Sequence, residues 1–246
     1  MQVDAGFCLP ELAALYDSEN AGRHDIEFYL ALADELSAAD VVDIGCGTGV
    51  LAVDLAAAGH RVLGVDPAAA MLHVARSRPG GETVRWVLVE ASALGERIAD
   101  LAVMTGHVAQ VFLTDGDWNA MLADVRRALR PGGRFAFDTR NPAAQSWRGW
   151  TRAESFGTYP WPGGGSYDSW VQVTSVEPGL VSFDGITVLP DGRTITSPST
   201  LRFRTRAEVE ESLRAAGFAI EALYGDWQRG PVTPLSRELI VIARRE

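Results

Sequence analysis

The stretch Asp43-Ile44-Gly45-Cys46-Gly47-Thr48-Gly49 constrains this chain more than any other. It follows a short apolar run, Val41-Val42-Asp43-Ile44, that reads as a buried strand. Behind it, residues 48–58 read as a helix ended by Gly59. A strand that turns into a helix through alternating glycines lets the backbone bend tightly and approach a ligand, because no Cβ stands in the way. In open α/β sheets, ligands sit beyond the carboxyl ends of the strands, where such turns lie. The spacing is G-x-G-x-G. A dinucleotide fingerprint would place its third glycine where this chain has Val50. No Gly-Lys-Ser/Thr follows, which excludes a phosphate-binding P-loop.

The pattern around this turn repeats. Residues 61–65, 84–89, 100–104 and 134–138 read as further strands, and residues 67–76 and 115–129 as helices. Pro67 suits a first helical turn, with Asp66 as its cap. Alternation of this kind predicts an α/β fold with a doubly wound, mostly parallel sheet and right-handed crossovers. Residues 1–39 read as helices, over 10–16 and 25–36. After Pro142 the rhythm breaks. Residues 170–176, 180–189 and 193–203 read as strands joined by Glu177-Pro178-Gly179 and Pro190-Asp191-Gly192 turns, an antiparallel β insert after strand five. Residues 205–216 then return to helix, with strands over 218–224 and 238–243. The expected units are 1–39, which would close the ligand site, 40–142 with 205–246 as the α/β domain, and 143–204 as an insert or lid on the substrate side.

Charge and cysteine usage exclude several classes. Twenty-two Lys and Arg against 32 Asp and Glu give a net charge of −10, and the basic residues are scattered, so nucleic acid is not expected as a partner. Two cysteines, Cys8 and Cys46, make no disulfide framework and no CxxC metal site, so no metal is expected. Residues 1–10 have no basic start and contain Asp4, unlike a secretory leader, and no apolar run reaches membrane-span length. A cytoplasmic protein without membrane contact, monomeric or homodimeric, is the expectation.

These motifs carry a family resemblance. The glycine stretch resembles the first motif of the class I, Rossmann-like, seven-strand S-adenosylmethionine-dependent methyltransferases. Gly64-Val65-Asp66-Pro67 with Met71-Leu72 resembles the second, Leu88-Val89-Glu90-Ala91 the third, and Leu129-Arg130-Pro131-Gly132-Gly133-Arg134 the turn before strand five. The resemblance implies S-adenosylmethionine as cofactor and a small-molecule methyl acceptor, methylated on nitrogen or oxygen. It further implies that Asp43, Gly45, Cys46, Gly47 and Gly49 hold the methionine part and Asp66 the ribose hydroxyls. Glu90 and Ala91 would hold the adenine edge, with Pro67, Met71, Ser92 and Thr105 completing the cofactor set. Glu90 stands where the family more often has Asp.

The acceptor side is expected after strands four and five. There Thr105-Gly106-His107 offers His107 as a catalytic base or a substrate hydrogen-bond partner, against simple packing near the cofactor. Asp138-Thr139-Arg140-Asn141-Pro142 offers Arg140 toward a substrate carboxylate, against a loop ion pair, with Asn141 beside it. The insert brings four tryptophans, Trp147, Trp150, Trp161 and Trp170; Trp147 heads the substrate candidates, and the alternative is the insert's own core. Tyr16, Phe28 and Tyr29 either close over a sulfonium or pack as core. Cys46 reads as a small packing residue, and His24, His60 and His73 as surface residues. Two other functions remain open at this stage: a cofactor-binding module without catalysis, and a nicotinamide-dependent oxidoreductase, which the glycine spacing disfavours.

Overall fold

Val41, Val42 and Ile44 are buried because the strand they form, β1 (Asp40–Ile44), has neighbours on both sides and helices on both faces. In the computed structural model, which describes residues 4–22 and 24–246, β1 pairs in parallel with β2 (Arg61–Asp66) and β4 (Ala99–Met104). The full sheet runs β10-β11-β5-β4-β1-β2-β3, with β3 (Arg85–Leu88), β5 (Leu129–Arg140), β10 (Phe218–Tyr224) and β11 (Glu238–Arg245). Only β11 runs against its neighbours. The chain winds outward from β1 through β2 to β3, then returns to β4 on the other side. The strand order therefore reverses between β1 and β4, the place where open α/β sheets hold ligands.

Nine helices among the described residues flank the strands: α1 (Ala5–Cys8), α2 (Pro10–Ala13), α3 (Tyr16–Glu19), α4 (Asp25–Glu35), α5 (Val50–Ala57), α6 (Ala69–Ser77), α7 (Asp115–Ala128), α8 (Arg152–Ser155) and α9 (Arg206–Ala215). Apolar residues of α4 and α5 bury one face of the sheet, and those of α7 and α9 bury the other. On α7, Trp118, Met121, Leu122 and Val125 form the inward stripe that helical spacing anticipates. Thr205 caps α9 in a capping box with Glu208. No helix among the described residues is long and apolar enough to cross a membrane.

The second sheet is antiparallel, in the order β6-β7-β8-β9: β6 (Gly157–Pro160), β7 (Ser166–Glu177), β8 (Leu180–Val188) and β9 (Thr194–Arg202). The fold is thus a doubly wound, mostly parallel α/β sheet with an antiparallel insert after strand five, as the alternation predicts. Four strands stand where the sequence predicts three. β6 escaped notice because it is short and ends at Pro160, a residue tolerated at a sheet edge but a weak strand signal.

Other boundaries shift for identifiable reasons. α5 begins at Val50 rather than Thr48, because Gly49 takes a left-handed φ of +78° as its N-cap. α6 begins at Ala69 with no side-chain cap. Asp66 is therefore not the cap of that helix; its Oδ1 accepts from the Ala68 N–H in the turn ahead of it. The expected helix over 10–16 is instead α2, with α3 starting at Tyr16. β5 runs on to Arg140 because β11 pairs with it from Arg134 to Arg140, Glu238 opposite Arg140. Residues 1–3 of the expected N-terminal helical segment lie outside the described residues.

Candidate active site

The carboxyl ends of β1, β2, β4 and β5 open into a cavity of about 1190 Å³ that the insert borders from the opposite side. Its floor is the glycine loop. Gly45, Gly47 and Gly49 all have positive φ, but their surroundings differ. A Cβ on Gly45 would collide with Val108, and one on Gly49 would lie 2.4 Å from Cη2 of Trp86. A Cβ on Gly47 would meet nothing within 4 Å. Gly47 therefore borders open cavity, which is where a backbone held close to a ligand should lie.

Asp66 ends β2 beside this loop. Its Oδ2 accepts from the Gly47 N–H at 2.9 Å and its Oδ1 from the Ala68 N–H at 2.7 Å. Burial raises its pKa above the ordinary carboxylate range although both hydrogen bonds favour ionisation. Asp17 on α3 reaches the same loop, accepting from Thr48 Oγ1 at 2.6 Å and from Arg78. The N-terminal helices are thus tied to the floor of the cavity.

A second cluster forms where β4 and β5 end. His107 follows β4 with a left-handed φ of +66°. The carboxylate of Asp138, buried on β5, accepts from the N–H groups of Gly106 at 3.2 Å and His107 at 2.8 Å, and from the Tyr29 hydroxyl at 2.8 Å. Those three donors hold the turn in its uncommon conformation. Burial pushes the Asp138 pKa up, against the opposing pull of His107. The ring of His107 reaches the first residue of β11, its Nε2 lying 2.8 Å from Glu238 Oε2 and 3.7 Å from Asp138 Oδ2. The ligand-type atoms of His107, Asp138 and Glu238 lie within 4.8 Å of one another. Both oxygens of Asp138 are already engaged by the protein, so the cluster reads as an oriented imidazole rather than a prepared metal cage.

The sequence candidates divide. Asp43, Gly45, Cys46, Gly47, Asp66, Pro67, Met71, Thr105, His107 and Arg140 all line the cavity. Gly49 packs beneath the loop against Trp86. Glu90, Ala91 and Ser92 do not line it. β3 ends at Leu88, and Ala91–Ala93 forms a 3-10 turn packed on α7, with Ala91 in the core and the Ser92 carbonyl bound by Arg127. Asn141 also stands off the cavity lining: its side chain caps a turn at Ala143 and donates to the Ser236 carbonyl. Trp147 packs edge-on against Phe203, 4.6 Å between centroids, beside a separate surface depression. Trp150 and Trp170 take its expected place in the cavity wall, while Trp161 packs with Tyr159 and Tyr167. Tyr16 lines the cavity, whereas Phe28 and Tyr29 are core. His60 is not a surface residue; it lies 2.6 Å from the Ala38 carbonyl with its side chain largely covered. Glu238 and Asp138 went unassigned in the sequence because no motif marks them. Glu238 stands 131 residues from the histidine it touches.

Residues 41–133 match the family model described as a methyltransferase domain. Over 211 residues, the chain is 29% identical to a cypemycin N-terminal methyltransferase from a Streptomyces species, covering 84% of this chain and 83% of that protein. Residues 41–133 thus form a methyltransferase domain. Among solved structures, the chain resembles the CcbJ methyltransferase from Streptomyces caelestis in fold, with a TM-score of 0.79 at 24% identity over 97% of this chain and 98% of that one. It also resembles an S-adenosylmethionine-bound amino pentose methyltransferase from Micromonospora echinaspora in fold, with a TM-score of 0.68 at 20% identity over 95% of each chain. Both likenesses extend through the antiparallel insert, so the chain shares its whole architecture with them and not the sheet alone.

Proposed function

We propose that this enzyme binds S-adenosylmethionine on the glycine loop and transfers its methyl group to the amine of a small molecule. The observation that carries the reading is the charge of the cavity. Eight of its described lining residues are Asp or Glu, against one Arg and two His. An acidic, partly enclosed cleft concentrates cations, and an amine acceptor arrives as an ammonium ion. A cypemycin N-terminal methyltransferase and a sugar N-methyltransferase, matched over 84% and 95% of this chain, favour nitrogen, whereas a ubiquinone biosynthesis O-methyltransferase and a ubiquinone/menaquinone biosynthesis C-methyltransferase match only 46% and 50% of it.

The residues present fit the cofactor. Gly47 leaves a cradle that a side chain would fill, and Asp66 offers a carboxylate beside it for the ribose hydroxyls. Asp43, Gly45, Cys46, Pro67, Met71 and Thr105 complete that wall. Bound there, S-adenosylmethionine supplies an activated methyl carbon whose bond to sulfur breaks as the acceptor lone pair attacks, the electron pair leaving with the sulfur. The protein's part is to align the acceptor, exclude water and take one proton. His107 is placed for the proton. With Glu238 ionised, Nε2–H of the ring donates to it, which leaves Nδ1 as the basic atom. The insert forms the acceptor wall with Trp150 and Trp170, and no nucleic acid or membrane enters this scheme.

The test is a calorimetric titration with S-adenosylmethionine and with NADH. An assay for S-adenosylhomocysteine over matched panels of amines and alcohols follows. Binding of the first cofactor alone, with product formed from amines, is the expected result. Turnover confined to alcohols would overturn the choice of nitrogen.

A further inference from the structure

Arg140 is the one lysine or arginine among the described residues of the cavity wall. Arg61, Arg130, Arg134, Arg193 and Arg229 each lie within ion-pair distance of a carboxylate. Arg140 forms no ion pair within that distance among the described residues, although Glu238 and Asp138 act on it from further off. Its guanidinium donates to the neutral Oε1 of Gln110 at 2.8 Å and lies 5.2 Å from the centre of the Trp150 ring. Gln110 is fully buried, so this anchor is fixed. A guanidinium carries five N–H donors, and a single hydrogen bond to the protein leaves most of them for another group. Burial depresses its pKa, yet a guanidinium stays charged at neutral pH. A cation held this way in an enclosed site is costly unless an acceptor of complementary shape meets it.

The sheet register says where that acceptor would be. Arg140 stands directly opposite Glu238 across β5 and β11, so the two side chains rise from the same face as neighbours. Glu238 in turn orients His107. The proton-accepting pair and the oxygen-seeking fork therefore lie side by side.

We propose that Arg140 is a specificity-determining residue that recognises a carbonyl or carboxylate oxygen next to the reacting amine, making the acceptor an α-amino carbonyl compound: a free amino acid or the amino terminus of a peptide. This rests on the amine reading above and names the acceptor class within it. It also explains a lone cation among eight acidic neighbours: the acids favour the ammonium group, and Arg140 orients the molecule that bears it.

The experiment uses three probes of one shape, suited to a wall of Trp150 and Trp170: phenylalanine, the dipeptide Phe-Gly and phenethylamine, which lacks the carbonyl. Each is titrated calorimetrically into wild type, Arg140→Gln and Arg140→Lys, after S-adenosylhomocysteine affinity has been measured for all three proteins. Phenylalanine or the dipeptide should bind wild type at least tenfold more tightly than phenethylamine. The preference should vanish in Arg140→Gln and return in part in Arg140→Lys, with S-adenosylhomocysteine affinity unchanged. Which carbonyl probe wins separates a free amino acid from a peptide terminus. Equal affinity for all three probes, no binding of any, or a preference that survives in Arg140→Gln overturns the proposal. Failure of S-adenosylhomocysteine to bind would instead count against the cofactor reading, and the same titrations on unloaded protein would still read out the role of Arg140.

Discussion

The glycine loop and the antiparallel insert border the same cavity from opposite sides, and they are built on different principles. The loop is seven consecutive residues whose backbone does the work: positive φ at three glycines, the Gly47 N–H turned onto the Asp66 carboxylate, and one bare Cα facing open space. The insert acts through side chains drawn from distant points. Trp150 lies ahead of its first strand, Trp170 comes from β7 and Phe183 from β8, the last two brought together by the pairing of those strands. A backbone device is local and tolerates no Cβ at its contact point. A side-chain wall is non-local and can be rebuilt without disturbing the fold. Cofactor affinity should therefore answer to the loop, and acceptor choice to the insert.

Substitutions can break this division. The largest effect is expected from Gly47→Val. Its side chain would enter the cavity where the loop meets a ligand, lowering S-adenosylmethionine affinity about a hundredfold or more, ~2.7 kcal/mol. The left-handed φ of +54° adds strain of about 1–2 kcal/mol, which a globular domain of this size survives. Calorimetry beside a thermal melt separates the two, and wild-type affinity in the variant would remove this loop from the site.

Gly49→Ala sharpens the contrast within the loop. Its Cβ would press on Trp86 and on Ala75 at 3.0 Å, so the loss should fall on stability, about 1–3 kcal/mol in denaturant unfolding. If the variant kept its stability but lost its cofactor, Gly49 would be a contact residue like Gly47 and not a packing one.

Asp66→Ala comes next, with S-adenosylmethionine affinity weakened by about 1–3 kcal/mol through loss of the ribose acceptor. Affinity unchanged in a folded variant would sink that role. The wall of the insert should behave in the opposite way. Trp170→Ala lowers kcat/KM for the acceptor by about tenfold, ~1.4 kcal/mol, and leaves cofactor affinity intact. A fall in cofactor affinity instead would merge the two halves of the cavity into one.

The smallest effect is a pH dependence. Burial raises the Asp66 pKa, so the ionised form that accepts hydroxyl hydrogen bonds is lost as pH falls through that raised value. Cofactor affinity should then begin to fall at a pH above the ordinary Asp value of about 3.9, and Asp66→Asn should flatten the profile. The stability of the free protein runs the other way. A raised pKa means the folded state binds this proton more readily than the unfolded one. The contribution is present below the unfolded pKa and fades as pH rises through the folded one.

How much was legible follows the same line. Strand, loop and helix around Gly45, Gly47 and Gly49 could be read directly, because periodicity and glycine spacing are properties of neighbouring residues. That the sheet is mostly parallel and doubly wound followed from the alternation, whereas its strand order came only from the structure. Glu90, Ala91, Ser92 and Asn141 stand off the cavity lining although their motifs or positions suggested it, since a position one turn past a strand end does not say which way the chain then turns.

The sequence alone determined the sheet, the ligand loop with Asp66 at its side, and the break at Pro142 beyond which a different kind of sheet begins. The tertiary structure decided the chemistry of the acceptor side: Glu238 against His107, Tyr29 against Asp138, Gln110 against Arg140, and two of four tryptophans in the wall. The first three pairs span 131, 109 and 30 residues. The register that brings Glu238 to its place is set by burial of β11 in the core, Ile240 and Val241 among it, and not by any property of the polar residues themselves.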